Sequence, residues 1–393
     1  MGPLEGLKVL DFSQFMAGPV AAQKLGDLGA EVIKIEKPQG GDASRYASAS
    51  PFHIAGERVA FVALNRNKRS ITLDLKNAKG LEIAFELIKH ADVLIENFRP
   101  GVMERLGLGY AVVAKINPRM VYGSITGYGP EGPYRDFPGQ DLLVQCLSGL
   151  VYLNGRRGDP PIAVGMPVID AIAGQQLAFG IVAALFRRER TGRGQKVSTS
   201  LLDVAIDLQA QEFTGYLNNQ EEPRRSAAGI AHPFFVPPYG IYATKDSYLA
   251  LAHTPISRLT EYLNIPELKD VSGGKQAYEQ RDRIYKLVAA ALAAKTTQEW
   301  LDYLGRHGFW CARVQTYKEL AEDKQVLHNQ MIVSVPSKDG ETIRYAGLPI
   351  KFSDTPGSIR CMAPALGEHT AEILAELGFS AQQISEFAQG GVT

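Results

Sequence analysis

Asp170 stands where the apolar segment VGMPVIDAIAG (164–174) becomes a long helical run, AGQQLAFGIVAALFRRER, that stops at TGRGQK (191–196). A carboxylate in the first turn of a helix has two uses. It can satisfy orphan backbone N–H groups and the helix dipole, which is the commoner role. It can also be a nucleophile when it is half desolvated beside open space. Val168 and Ile169 before it, Ala171 and Ile172 after it, and the small pair Ala173 and Gly174 where a ligand can approach the backbone, make the second use physically reasonable. The local pattern leaves both readings open.

Other chemistries find less support. Glu36 closes a strand pattern where a ribose-binding acid would sit, yet the preceding loop, DFSQFMAGP, lacks the glycine spacing that brings a pyrophosphate to a helix N-terminus. There is no GKS or GKT phosphate cradle and no glycine-flanked serine elbow. The seven histidines are scattered without ligand spacing, so no metal site is expected. Cations recur beside small and apolar residues at expected strand ends: Lys37, Lys68, Arg69, Arg99 and Arg105. Singly each reads as a solvated surface charge; gathered at one edge of a parallel sheet they would clamp phosphates.

Composition bounds the partners. In 393 residues, 45% hydrophobic and 21% charged, 42 Lys plus Arg balance 42 Asp plus Glu. No global field recruits nucleic acid or an anionic membrane, so a polyanionic ligand needs local cations. Three widely spaced cysteines suit neither a disulfide framework nor zinc and read as buried thiols in a reducing compartment. The N-terminus has no secretion-signal pattern, and the longest apolar helix core, LAFGIVAALF (177–186), is too short to span a bilayer. A soluble, cytoplasmic protein is expected.

To hold these residues, the first 200 positions alternate strands and helices: LKVLDF, GPVAAQKLGDLGA, EVIKIE, RSITLDL, KGLEIAFELIKHA, DVLIENF and MVYGSITGYG. That rhythm predicts an α/β fold, a Rossmann-like mostly parallel sheet with ligands at its carboxyl edge, and SQFMAGP, EKPQGGD, NRNKRS and ENFRPG fall at strand ends. The polar, proline-bearing stretch 218–238 reads as a linker, YGIYATKDSYLALA as a hairpin turning at Lys245 and Asp246, 275–307 as helices, and LGEHTAEILAELG as a closing helix.

Long segments of the chain resemble the class III CoA-transferases, the family of formyl-CoA transferase, carnitine CoA-transferase and α-methylacyl-CoA racemase: LKVLDFSQFMAGPVAAQKLGDLGAEVIKIEKPQGGD, NRNKRSITLDLK, ADVLIENFRPGVMERLGL, ITGYGPEGPYRDFPGQDLLVQCLSGL, RRERTGRGQKVSTSLLD, HPFFVPPYGIY and LGEHTAEILAELG, in order. The resemblance implies that Asp170 is the catalytic aspartate. It implies that Met16 and Ala17 border the reaction centre, and that Lys37 contacts the CoA nucleotide. Leu73, Asp74, Leu75, Lys76, Asn97 and Phe98 would line its adenine and phosphate region, and Arg99 is placed with the CoA-binding residues. Arg105 would meet a phosphate, and Gln140 and Asp141 would lie near the nucleophile. The racemase branch has histidine where this chain has Gln140, which cannot serve as its base. The glycine-rich loop of the formyl-CoA branch has no counterpart near 215–260, which points away from formyl-CoA and oxalate.

The resemblance also implies an architecture: a large domain (1–200), a linker (201–227), a small α+β domain (228–325), a return linker (326–350) and a return to the large domain (351–393), with ring-shaped subunits interlocked as a homodimer. It implies acyl-CoA and a small carboxylate as substrates, and no permanently bound cofactor. Arg224 and Arg225 suggest a dicarboxylate acceptor. An acyl-CoA racemase or isomerase and a non-catalytic CoA-binding protein are the alternatives, disfavoured by Gln140 and by Asp170 respectively.

Overall fold

The computed structural model describes residues 2–47, 50–337 and 340–393. They divide into two compact units: 1–144, 167–204 and 324–393 form the first, and 145–166 with 205–323 the second.

The first unit is built on six parallel strands. Its elements run β1 (Lys8–Asp11), α1 (Ala17–Asp27), β2 (Glu31–Glu36), a short hairpin β3 (His53–Ile54) and β4 (Glu57–Arg58), α2 (Val59–Leu64), β5 (Lys68–Thr72), α3 (Ala78–Lys89), β6 (Val93–Glu96), α4 (Val102–Arg105), α5 (Tyr110–Ile116), β7 (Val121–Thr126), α6 (Asp141–Leu147), α7 (Val168–Thr191) and β8 (Lys196–Ser200). The sheet order is β5-β2-β1-β6-β7-β8. Strand residues alternate between two buried faces. Leu10, Ile33, Ile71, Leu94 and Tyr122 pack with Ile83, Leu87 and Ile88 of α3. The opposite face takes α1 and α7, where Gly123 leaves room for Leu177 and Ile181. Near-continuous apolar strands are what a doubly covered parallel sheet requires.

α7 is longer than its apolar core suggests. Its 24 residues are apolar enough, by length and composition, to cross a bilayer, but Ile169, Ala173, Leu177, Ile181 and Leu185 are buried inside the unit, and a core helix passes the same test. Gly174 sets its approach to α1: a Cβ there would come 2.5 Å from the carbonyl oxygen of Ala17.

The second unit has helices α8 (Leu201–Leu208, shared at its start with the first unit) and α9 (Ala210–Asn219), strands β9 (Gly240–Ala243) and β10 (Tyr248–Leu251), helices α10 (Ile256–Tyr262), α11 (Gly274–Glu279), α12 (Arg281–Leu292) and α13 (Thr297–Arg306), strand β11 (Cys311–Arg313) and α14 (Tyr317–Glu322). The antiparallel β9–β10 hairpin turns through 244–247, as its sequence predicts, and its inner face packs on Leu259, Ile284, Val288, Trp300 and Leu304. The chain then re-enters the first unit through α15 (Lys324–His328), the hairpin β12 (Ile332–Pro336) and β13 (Thr342–Ala346), α16 (Thr370–Glu376) and α17 (Ala381–Gln389).

Several expectations need correction. Residues 145–166, assigned from sequence to 1–200, cluster with the second unit. The expected linker 201–227 is helical over most of its length, because LLDVAIDL and AQEFTGYL carry helical apolar spacing. The expected return linker 326–350 is largely a hairpin whose Val335, Ile343 and Tyr345 pack against Val62; its residues 338 and 339 lie outside the described residues. The cysteines are not buried thiols: Cys146 and Cys361 are exposed and Cys311 is half-buried.

Candidate active site

Asp170 does not cap its helix. α7 begins after Pro167, so Asp170 is its third residue, and the cap comes from 29 positions earlier in the chain. One carboxylate oxygen of Asp141, the first residue of α6, accepts the N–H groups of Ile169 at 2.7 Å and of Asp170 at 3.0 Å. Two of the orphan donors at the start of α7 are thus satisfied by another carboxylate. Among the described residues no donor or cation engages the side chain of Asp170 itself, which is half-buried. Burial first, and the charge of Asp141 second, push its pKa up to about 7. A carboxyl group poised between its two forms near neutrality, with no structural task, has the properties of a reacting group.

The neighbouring loop is anchored at several points. Helix contact at Gly174 brings α7 onto the start of α1, one turn from Asp170. Met16 is the N-terminal flanking residue of α1 and Ala17 its first residue, buried. Just before them Phe15, 54% exposed, takes a left-handed backbone (φ 62°), a strained arrangement for a non-glycine residue. Three anchors hold it. Asn97 exchanges two 2.8 Å hydrogen bonds with the backbone of Gln14, Asp42 accepts the N–H of Phe15 at 3.1 Å, and the buried Lys34 ammonium donates to the carbonyl of Ser13 at 2.9 Å. Gln14 follows β1 and Asn97 follows β6, the two strands flanking the point where strand order reverses, which is where open α/β sheets bind ligands.

Below that loop lies an ionic network inside the sheet. Lys34 pairs with Asp42 at 2.8 Å, and Lys68 with Asp11 at 2.8 Å. Burial works against the Asp11 carboxylate, but Lys34 and Lys68 outweigh it and hold Asp11 below the usual carboxylate range. Sequence reasoning did not assign Asp11, Lys34 or Asp42 to the site. The available signal was a charge in the middle of each buried strand pattern, LKVLDF and EVIKIE.

The remaining site residues divide into two groups. Lys37, exposed, follows β2, with its ammonium 3.3 Å from the hydroxyl of Tyr46. Leu73, buried, begins the turn after β5 with half-buried Asp74 and Leu75 and exposed Lys76. Phe98 lies against the core after β6, Arg99 and Arg105 are exposed beyond it, and Gln140 is exposed beside Asp141 in the segment after β7. All of these lie at the carboxyl edge of the sheet. Lys68 and Arg69 do not join them, because β5 begins at Lys68. Lys68 is buried on Asp11 and Asn65, and Arg69 is tied to Glu31, Glu372 and Glu376. Glu36 is likewise occupied, by Arg45, Ser70 and the N–H of Asp42. Arg225 in the second unit donates to the carbonyls of Asn154, Asp159 and Pro160, so its guanidinium is structural.

A doubly covered parallel sheet with cations at its carboxyl edge and an unengaged carboxylate at a helix start is an α/β architecture suited to an anionic ligand. The sequence profile of CoA-transferase family III matches residues 4–370, and the chain belongs to that family. It is similar to the mouse succinyl-CoA:glutarate CoA-transferase (34% identical, spanning 96% of this chain and 87% of that protein). It is similar also to the formyl-CoA:oxalate CoA-transferase of Rhodopseudomonas palustris strain BisA53 (34% identical, 99% and 96%). Its fold matches the crystal structure of a CAIB/BAIF family protein from Brucella suis, with a TM-score of 0.85, 33% identity, and 96% and 99% of the two chains covered. The protein is therefore a family III CoA-transferase.

Proposed function

We propose that the enzyme moves CoA from a succinyl-CoA-like thioester to a small dicarboxylic acid, with Asp170 as the nucleophile. The observation that carries the reading is the division of labour at the start of α7, where Asp141 takes the capping role and leaves the Asp170 carboxylate unengaged among the described residues. In the proposed sequence an oxygen of Asp170 attacks the donor carbonyl, the C–S bond breaks, and CoA leaves as a thiolate from a mixed anhydride. The thiolate attacks the aspartyl carbonyl, which releases the donor acid and forms an aspartyl-CoA thioester. The acceptor carboxylate displaces CoA to give a second anhydride, and the thiolate attacks the acceptor's carbonyl, regenerating Asp170. Every step exchanges one activated acyl bond for another, so the thioester's energy is conserved provided that water is excluded from the more reactive anhydride, and a carboxylate nucleophile needs no metal. The half-burial of Asp170 and the hydrogen-bonded Ser13–Phe15 segment support that requirement.

The dicarboxylate part of the reading rests on relatives named for glutarate and not on Arg225, whose guanidinium is structural. Assembly as an interlocked homodimer is part of the proposal. Support comes from Phe179, Val182 and Phe186, which form an exposed apolar stripe along α7, and from a chain that leaves the first unit and returns to it twice. Measuring CoA exchange between succinyl-CoA and a panel of mono- and dicarboxylic acids tests the function. Quenching the enzyme with acyl-CoA in acid is expected to leave a hydroxylamine-sensitive mass on the peptide containing Asp170; an adduct mapping elsewhere would remove the nucleophile assignment.

A further inference from the structure

The segment joining β7 to α6 is a closed loop with a defined neck. Gly127 and Gly139 lie backbone against backbone, and a Cβ on Gly127 would come 2.6 Å from the Cα of Gly139. Inside the loop Tyr134 stacks on Phe137 with ring centres 5.1 Å apart, and Tyr128 meets both edge-on. Compact loops of this kind, with their ends close together and packed by their own side chains, are frequently functional. This one presents Arg135. Its guanidinium turns toward Gly101, a left-handed glycine (φ 84°): Nη2 of Arg135 and Nη1 of Arg105 stand 3.8 and 3.1 Å from the position a Cβ on Gly101 would take. Arg99 and Arg135 line one cavity of about 300 Å³, together with Phe98, Lys196 and two carboxylates, Glu96 and Glu104. Among the described residues neither Arg99, Arg105 nor Arg135 forms a salt bridge, although Glu104 is close by. Converging guanidinium groups that no carboxylate pairs with, even with Glu96 and Glu104 in the same wall, keep their N–H donors for an anion, and paired N–H donors favour phosphate.

We propose that Arg135 is a phosphate-binding residue for CoA: the 127–139 loop carries it across from Arg105, and the two guanidinium groups, with Arg99, clasp a phosphate of the substrate. The inference rests on the reading that this enzyme binds CoA thioesters. It adds a jaw to the clamp, and it gives the glycine neck a purpose, since the loop's shape fixes where Arg135 points. The chemistry suits either the 3′-phosphate or the diphosphate, and substrate fragments separate them.

Calorimetry with CoA, 3′-dephospho-CoA and pantetheine, on the full-length wild type and on Arg135→Gln, tests the inference. Arg135→Gln is expected to raise the Kd for CoA about 10- to 100-fold, the size of one lost charge-assisted contact, and to flatten the dependence of Kd on salt. The preference of the enzyme for CoA over pantetheine should fall by the same factor. If dephospho-CoA shows the same loss the contact is to the diphosphate; if its binding is unmoved the contact is to the 3′-phosphate. Arg135→Lys should recover part of the affinity, and Arg105→Gln combined with Arg135→Gln should cost less than the two losses added, because both groups share one anion. Unchanged CoA affinity in Arg135→Gln, or an equal loss for pantetheine, would overturn the assignment. A wild type that binds no CoA would instead overturn the reading on which it rests.

Discussion

The lysines buried within the sheet and the arginines exposed beyond its carboxyl edge look alike in sequence and are used in opposite ways. Lys34 and Lys68 are fully buried, and both reach carboxylates of the same unit, Asp42 and Asp11. Arg99, Arg105 and Arg135 are exposed and, among the described residues, form no salt bridge. A cation satisfied inside the fold shapes the backbone above it; here Lys34 holds the carbonyl of Ser13. A cation left without an internal partner is available to a ligand. The same contrast separates Asp141, spent on two backbone donors, from Asp170, spent on none.

The largest test removes the unspent carboxylate. Asp170→Asn is expected to lower turnover by more than about 10³-fold, the scale of losing a nucleophile, with CoA affinity retained. It should also stabilise the protein above neutral pH. The Asp170 carboxyl holds its proton up to about 7 in the folded chain against 3.8 unfolded, so the wild type loses stability as pH rises through that window. The asparagine variant escapes that loss and should melt higher at about pH 8, with no advantage at about pH 4. A silent variant would return Asp170 to a structural role.

Breaking the spent pair acts on stability. Asp11→Asn leaves the buried Lys68 ammonium without its carboxylate, while Lys34 keeps Asp42, and denaturant unfolding should show a loss of about 3–5 kcal/mol. An effect below about 1 kcal/mol would mean that Lys68 is not held by Asp11.

Removing an unspent cation acts on binding. Arg105→Ala is expected to raise KM for acyl-CoA by about 10- to 100-fold with a much smaller change in kcat. Arg69→Ala, at the other end of β5, should leave KM alone and cost only the modest stability of a partly exposed ion cluster. Equal effects of the two would erase the distinction between the groups.

That distinction was only half legible in the sequence. The strand rhythm, the turn at Lys245 and Asp246, and the prominence of Asp170 follow from local spacing, because periodicity and turn chemistry are local properties. Lys68 and Arg69 were grouped with Arg99 and Arg105 because all sit near strand ends; which end depends on where β5 starts, and partners such as Glu372 lie some 300 residues away. Asp141 as the cap of α7 is hidden for the same reason: the intervening 145–166 segment clusters with the other unit. Helices α8 and α9 fall within the expected linker because the polar stretch after Asn219 is continuous in sequence with their apolar spacing, and only packing separates the two.

The smallest effect probes how Asp141 acts on Asp170. Asn at position 141 keeps a carbonyl oxygen able to accept from Ile169 and Asp170, so α7 stays capped, but the negative charge beside the nucleophile is gone. Burial, the larger cause of the raised pKa, is untouched. The midpoint of the pH dependence of kcat/KM, near 7 in the wild type if Asp170 reacts as its carboxylate, should therefore move down by less than about one unit in Asp141→Asn, with activity rising at pH values below that midpoint. Asp141→Ala gives the contrast, since it removes both the charge and the acceptor, leaves two helix-start donors unpaired, and should lose stability that the asparagine variant keeps. A midpoint that stays put in Asp141→Asn would assign the raised pKa to burial alone and leave Asp141 as a cap and nothing more.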